Sequence, residues 1–168
     1  MNTSFGDTTL ILFIVSTKDA AGMNIAKQLI NCYAFEKLSE TFQGNPIYTK
    51  KLENKKIKLL FIKNDIIDTQ YLGTLFNPKL FVFLSRHSSS KVIPTLSVHT
   101  PGNLSDANFG GLPKTVSVSP AVPMKNALLE MAKQVDKLDL DYTVCYECTH
   151  HGPSLDKPAM FAELGSSP

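Results

Sequence analysis

An α/β fold is predicted for this chain: three layers, with a mixed or mostly parallel sheet carrying flanking helices. Three observations carry that prediction. Two apolar runs, Leu10–Val15 and Leu80–Leu84, place strands at Thr9–Val15 and Lys79–Leu84 with the length and composition of strands buried on both faces. The first run leads through a short polar turn, Ser16-Thr17-Lys18-Asp19, into Ile25, Ala26, Leu29, Ile30 and Tyr33 at helical spacing, which is how an α/β unit opens. Later, Met124, Leu128, Met131, Val135 and Leu138 recur at intervals of three and four, one apolar stripe for a helix laid on a sheet.

The other elements follow in order. Asp19 is the N-cap of a helix over residues 20–35, since its carboxylate can accept from the free N–H groups of the first turn. The turn before it lacks the glycine spacing of a dinucleotide or P-loop fingerprint, which weighs against a nucleotide site. Tyr48–Lys63 reads as a hairpin, with Lys50–Leu52 and Ile57–Ile62 flanking the turn Glu53-Asn54-Lys55-Lys56. Lysines 50, 51, 55, 56 and 58 form a positive patch there, either a solvated sheet edge or a contact to a phosphate backbone. Residues 64–78 form a short helix or loop closed by Asn77-Pro78.

Residues 102–119 are rich in Gly, Asn, Ser and Pro and too long for a plain connection. Gly110-Gly111 beside Phe109 suits either a loop that closes on a ligand or a flexible excursion. The second long helix spans 123–138, with Pro123 at its start. Strands at Tyr142–Cys148, with alternation continuing to His150, and at Ala159–Leu164 complete the sheet. On a regular strand Val144, Tyr146, Cys148 and His150 share one face, and Thr143, Cys145, Glu147 and Thr149 the other. Cys145 and Cys148 then point apart, which excludes a zinc knuckle.

The whole chain sets bounds. Its 168 residues suit a single domain over 1–168, and 43% hydrophobic content is that of a folded protein with a core. A net charge of +2 does not by itself announce nucleic acid. No apolar run approaches the roughly 20 residues of a membrane span, and Met1–Asp7 lacks the positive region of a signal peptide. Three cysteines argue against a disulfide framework and fit a reducing cytoplasm.

Chemistry-bearing side chains collect where the apolar runs end. Leu80–Leu84 gives way to Ser85-Arg86-His87-Ser88-Ser89-Ser90, and the carboxyl ends of parallel strands are where open α/β sheets converge on a crevice. Arg86 is the only arginine among 17 basic residues, and its planar fork suits a phosphate held bidentately. In Thr95–His99, Leu96 and Val98 face one side and Thr95, Ser97 and His99 the other. Glu163 sits inside the last strand, where a carboxylate needs a partner.

All 4 histidines, His87, His99, His150 and His151, lie at the ends of predicted strands. Two or three of them with Glu163 can hold a metal and leave a position open for water. Alternatively one acts as a general base without metal, or the histidines cap turns and touch solvent. Ser88, Ser89 and Asn103 are candidate donors to a substrate. No Gly-x-Ser-x-Gly elbow surrounds the serines, so they are not read as covalent nucleophiles.

Five blocks in fixed order resemble the D-aminoacyl-tRNA deacylases of the archaeal and plant type. They are Ser85-Arg86-His87-Ser88-Ser89; Pro94-Thr95-Leu96-Ser97-Val98-His99 with Gly102-Asn103; Phe109-Gly110-Gly111; Thr149-His150-His151-Gly152-Pro153; and Phe161-Ala162-Glu163-Leu164-Gly165-Ser166-Ser167. The resemblance implies a fold related to phosphorylases and peptidyl-tRNA hydrolases. It implies a cytoplasmic, zinc-dependent hydrolase that cleaves the ester of D-aminoacyl-tRNA, a chiral proofreading activity with no membrane partner. On that footing His87, His99 and His150 are expected as catalytic. Arg86, Ser88, Ser89, Asn103, Gly110 and Gly111 are expected to bind substrate, and His87, His99, His150, His151 and Glu163 to ligate zinc. Family members continue well beyond the Gly165-Ser166-Ser167 block, so a C-terminally shortened member, a frameshifted one or a fragment is expected. The alternatives are a catalytically weak or inactive tRNA-binding remnant and a phosphorylase-like hydrolase of a small molecule.

Overall fold

The structure, a computed structural model, describes residues 9–167. Residues 1–8, on which the expectation of no signal peptide rests, and Pro168 lie outside the described residues. In chain order the elements are β1 (Thr9–Ser16), α1 (Ala20–Cys32), β2 (Glu36–Phe42), β3 (Asn45–Leu52), β4 (Lys55–Ile62), a 3-10 turn (Ile66–Asp68), α2 (Leu72–Leu75), β5 (Leu80–Ser88), β6 (Thr95–His99), β7 (Gly102–Asn103), β8 (Thr115–Val116), α3 (Ala121–Leu138), β9 (Thr143–Tyr146) and β10 (Ala159–Ser167).

Among the described residues, eight strands form one mixed sheet in the order β2-β3-β4-β1-β5-β10-β6-β9, and β7 and β8 make a separate small ladder. β4, β1, β5 and β10 run parallel through the centre, while β6 runs antiparallel to β10 and parallel to β9. The central strands are apolar on both faces because both faces are covered. One face carries Leu12, Ile14, Leu60, Ile62, Phe81, Phe83 and Phe161 under Ile66, Leu72 and Leu155. The other carries Val15, Leu59, Val82, Leu84, Val98 and Met160 under Ala26 of α1 and Met124 of α3. This is the expected three-layer α/β fold.

Asp19 caps α1 and also ties it to the sheet. Its Oδ1 accepts from Gly22 N–H at 3.0 Å and its Oδ2 from Arg86 N–H at 2.8 Å, so one carboxylate holds the helix start against the end of β5. Gly22 lets α1 come that close, since a Cβ there would lie 2.5 Å from Leu84 O.

The structure departs from the sequence reading in several places. Glu36–Phe42 is a strand that the sequence does not announce: only Leu38 and Phe42 pack on the core, so no apolar alternation marks it. The hairpin turn is Glu53-Asn54 alone, with Glu53 at φ +46°, and Lys55 and Lys56 pair within β4. β2 covers β3, so the lysines of β3 and β4 do not lie on a bare edge. The helix expected at 123–138 begins at Ala121; Pro123 fits inside the first turn, where N–H groups have no intrahelical acceptor. The strand expected over Tyr142–Cys148 stops at Tyr146, while β5 and β10 extend to Ser88 and Ser167.

Gly22→Ala should force α1 away from β5. The expected cost is about 1–3 kcal/mol, as for other overpacked cores, read as a lower urea midpoint with unchanged slope. An unchanged midpoint would show that the contact is not tight.

Candidate active site

Side chains one residue apart on a strand face opposite ways, which places Ser85 and His87 of β5, Glu163 of β10, and Ser97 and His99 of β6 on the face that carries Phe83 and Phe161. Register does the rest. Glu163 lies directly across from Ser85 on one side and Ser97 on the other, and His99 lies across from Phe161. Ser85 Oγ–H donates to Glu163 Oε1 at 2.8 Å, and Ser97 Oγ–H reaches Oε2 at 3.5 Å. Glu163 Oε2 lies 3.5 Å from His87 Nδ1, and its Oε1 lies 3.5 Å from His99 Nε2. Glu147, just past β9, adds a second carboxylate 3.4 Å from His87 Nδ1. Glu163 is 5% exposed and His99 fully buried.

The other imidazoles gather on His99. Its ring stacks between Phe161, 4.8 Å away, and His150, 4.3 Å away, with His151 edge-on at 4.9 Å. Backbone carbonyls fix two of the tautomers. A carbonyl only accepts, so His150 Nδ1–H donates to Cys148 O at 2.8 Å and His151 Nδ1–H to Gly152 O at 2.7 Å. Each neutral ring therefore keeps its Nε2 lone pair free. His99 Nδ1 is 3.4 Å from Thr100 O, and its buried Nε2 makes no aligned hydrogen bond.

The charges are set by the same contacts. Burial pushes the Glu163 pKa up, but the adjacent His99 ring, the Ser85 hydroxyl and His151 together carry it below the ordinary carboxylate value. His151 is pushed down to about 4, first by burial and then by His99. At neutral pH the crevice thus offers an ionised Glu163 and a neutral His151. Cys145 shares this face, opposite Ser97; burial, then Glu147 and Glu163, raise its pKa, so it stays a thiol and is a poor nucleophile.

Among the described residues, two groups of donors could hold a cation. One nitrogen each of His99, His150 and His151 lie within 4.8 Å of one another, and so do one atom each of His87, Glu147 and Glu163. Each group contains a buried atom without a hydrogen-bond partner, His99 Nε2 in the first and Glu147 Oε2 in the second. Imidazoles with Nδ1–H tied to a carbonyl and Nε2 free, as in His150 and His151, are the arrangement that zinc-binding histidines adopt, so those two suit zinc, with a His99 nitrogen within reach as a third donor.

His87, His99, His150, His151 and Glu163, singled out in the sequence, thus share one crevice, although His87 belongs to the carboxylate group and reaches the other histidines only through Glu163. Glu147 was not singled out. The alternation that set it on the face opposite His150 assumed a regular strand to residue 150; with β9 ending at Tyr146, the chain turns and brings both to the crevice. Arg86 alternates with Ser85 and His87, so its exposed side chain leaves the other face of β5. Ser88 is exposed, and Ser89 Oγ accepts from Lys91 N–H in the following turn.

Asn103 uses both Nδ2 hydrogens internally, donating to Gly110 O at 2.9 Å and Leu112 O at 3.2 Å. Gly110 and Gly111 pack closely on Ile67 O and Gly152, where a Cβ would lie 2.3 Å from Ile67 O and 2.9 Å from Gly152 Cα. Lys55, Lys56 and Lys58 lie toward the amino end of β4, whereas Ser85 and His87 lie at the carboxyl end of β5, with which β4 runs parallel through β1. A cleft of about 630 Å3 between α1 and the β3–β4 pair, lined by Met23, Lys27, Tyr48 and Phe61, lies on the opposite face and contains none of these groups.

A model of the D-aminoacyl-tRNA deacylase family matches residues 74–168. The D-aminoacyl-tRNA deacylase of Pyrococcus furiosus is 41% identical over 162 residues, covering 92% of this chain and 57% of the relative. That of Methanosarcina barkeri is 34% identical over 164 residues, covering 94% of this chain and 54% of the relative. The chain therefore spans a little over half the length of the curated relatives it matches. A solved conserved protein of unknown function, AF0625, superposes with a TM-score of 0.79 at 29% identity, covering 95% of this chain and 56% of that one. A 5'-methylthioadenosine/S-adenosyl homocysteine nucleosidase of Campylobacter jejuni shares the fold alone, with a TM-score of 0.53 at 12% identity, covering 95% of this chain and 86% of that one.

Ser85→Ala should leave the buried Glu163 carboxylate short of its closest donor, at a cost of about 1.5–3 kcal/mol in urea unfolding. Combined with Glu163→Gln the loss should be clearly less than additive, because both changes remove one interaction. Strict additivity would mean that the hydroxyl does not support the charge.

Proposed function

This chain belongs to the D-aminoacyl-tRNA deacylase family, and we propose that it hydrolyses the ester joining a D-amino acid to the terminal ribose of tRNA. The observation that carries the proposal is the crevice itself: an ionised, buried Glu163 set between His87 and His99, within the residues that the family model covers. Ester hydrolysis requires a water relieved of a proton, a stabilised oxyanion and a protonated leaving oxygen. His87 suits the proton transfers. With Nδ1 turned to the carboxylates of Glu147 and Glu163, it holds its proton there and keeps Nε2 as an acceptor. That nitrogen takes a proton from water as the water oxygen bonds the carbonyl carbon. It returns the proton to the ribose oxygen as the carbon–oxygen ester bond breaks, leaving free D-amino acid and tRNA.

Zinc, held by His99, His150 and His151, would supply Lewis acidity toward the carbonyl and the attacking water. Exposed His150 stands at the mouth of the crevice, and buried His99 fixes its ring by stacking. Nothing in the geometry favours a remnant that binds without turnover. Membership of a family that acts on aminoacyl-tRNA supports a cytoplasmic site of action, and among the described residues no helix is long and apolar enough to cross a membrane.

The 168-residue chain should release tyrosine from D-tyrosyl-tRNA and leave L-tyrosyl-tRNA intact, with activity lost to a chelator and restored by zinc. His87→Ala should lower kcat by about 10²–10⁴, the usual share of a general base. His99→Ala should lose both zinc and turnover. Equal hydrolysis of the L-substrate, or a His87→Ala variant with wild-type kcat, would contradict the assignment.

A further inference from the structure

Phe109 presents an aromatic ring that is 71% exposed, on a turn held firmly from both sides. Gly110 and Gly111 adopt φ of +71° and +80°, conformations that suit glycine. Asn103 donates to the carbonyls of Gly110 and Leu112, and Leu112 N–H donates to Ser154 Oγ at 3.0 Å. Gly152 N–H donates to Phe109 O at 2.9 Å. That bond sets Phe109 against the residue following His151, whose ring lies 4.4 Å from His150 and 4.9 Å from His99. Leu104 and Leu112 of the same loop are exposed as well.

We propose that Phe109 is a stacking platform for the unpaired base of the nucleotide that carries the scissile ester. The proposal rests on the hydrolase reading and deepens it by naming what grips the RNA end. Base and ester are attached to the same ribose, so whatever brings the ester to the histidines brings the base within one nucleotide of them. A flat ring on a fixed turn is the simplest receptor for that base, because every base has a π-face and stacking needs no ordered set of hydrogen-bond partners. Acceptor ends finish in one common unpaired nucleoside, so a platform that does not read base edges serves them all. The fixed backbone matters too, since a ring already in place loses little freedom when the base arrives.

The chain contains no tryptophan, so Phe109→Trp introduces its only indole at an exposed position. Its fluorescence should be quenched saturably by uncharged tRNA and by the trinucleotide CCA, and much less by the same trinucleotide with an abasic 3' end. In kinetics, Phe109→Ala should lower the preference for D-tyrosyl-tRNA over D-tyrosine ethyl ester, as a ratio of kcat/KM, by on the order of tenfold to a hundredfold. Phe109→Trp should keep that preference. Absence of quenching, equal quenching by the abasic probe, or an unchanged preference in Phe109→Ala would overturn the platform. Quenching on concentrating the protein alone would assign the ring to a second copy of the chain and equally overturn it. If the wild-type chain releases no D-tyrosine, the hydrolase reading falls, and the fluorescence result still decides the platform.

Discussion

A single buried carboxylate constrains this architecture more than any other group. Glu163 is ionised in the interior of a central strand, and an unpaired charge there costs several kcal/mol. Ser85, Ser97, His87 and His99 offset that cost, and all four come from the two strands flanking β10. The order β5-β10-β6 and its register are therefore chemical requirements as much as packing ones. A slip of β6 by one residue would turn Ser97 and His99 to the opposite face and put an apolar Leu96 or Val98 beside the charge.

The same constraint organises the imidazoles. His99 must lie near Glu163, and its ring then becomes the surface on which His150 stacks and against which His151 stands, with Phe161 backing the assembly. The segment carrying His150 and His151 is irregular, so its position depends on close backbone contacts. Gly152 provides them: a Cβ there would fall 2.3 Å from Gly111 N and from Ile67 O. The polar loop of residues 102–115 is thus locked to the crevice by its glycines and by Asn103, and presents Phe109 outward as a consequence.

Much of this was legible in the amino-acid sequence, for identifiable reasons. The buried strands of Leu12 and Phe83 are apolar on both faces, and the Asp19 cap and the stripe from Met124 to Leu138 are local signals that packing reinforced. A glutamate inside an apolar strand could only mean a partnered charge, and two of the histidines at strand ends, His87 and His99, meet at it. Residues whose placement depends on where a strand stops were not legible. Glu147 and His150 read as facing apart on a continuous strand, and the early end of β9 at Tyr146 brings them to one crevice. β2 carries little apolar signal because it is an edge strand packed only through Leu38 and Phe42. Arg86 drew notice as the only arginine, yet the two-residue period of β5 turns it from the face of His87.

The claim that Glu163 holds the histidine crevice in its working form is tested most directly by the rate at which Glu163→Gln releases D-tyrosine from D-tyrosyl-tRNA. The variant keeps size and shape and loses the charge to which His87 and His99 are oriented. A fall of at least tenfold to a hundredfold, in a protein that still unfolds cooperatively, is the predicted result. A folded variant that keeps the wild-type rate would show that the crevice works without this carboxylate, and would contradict the account.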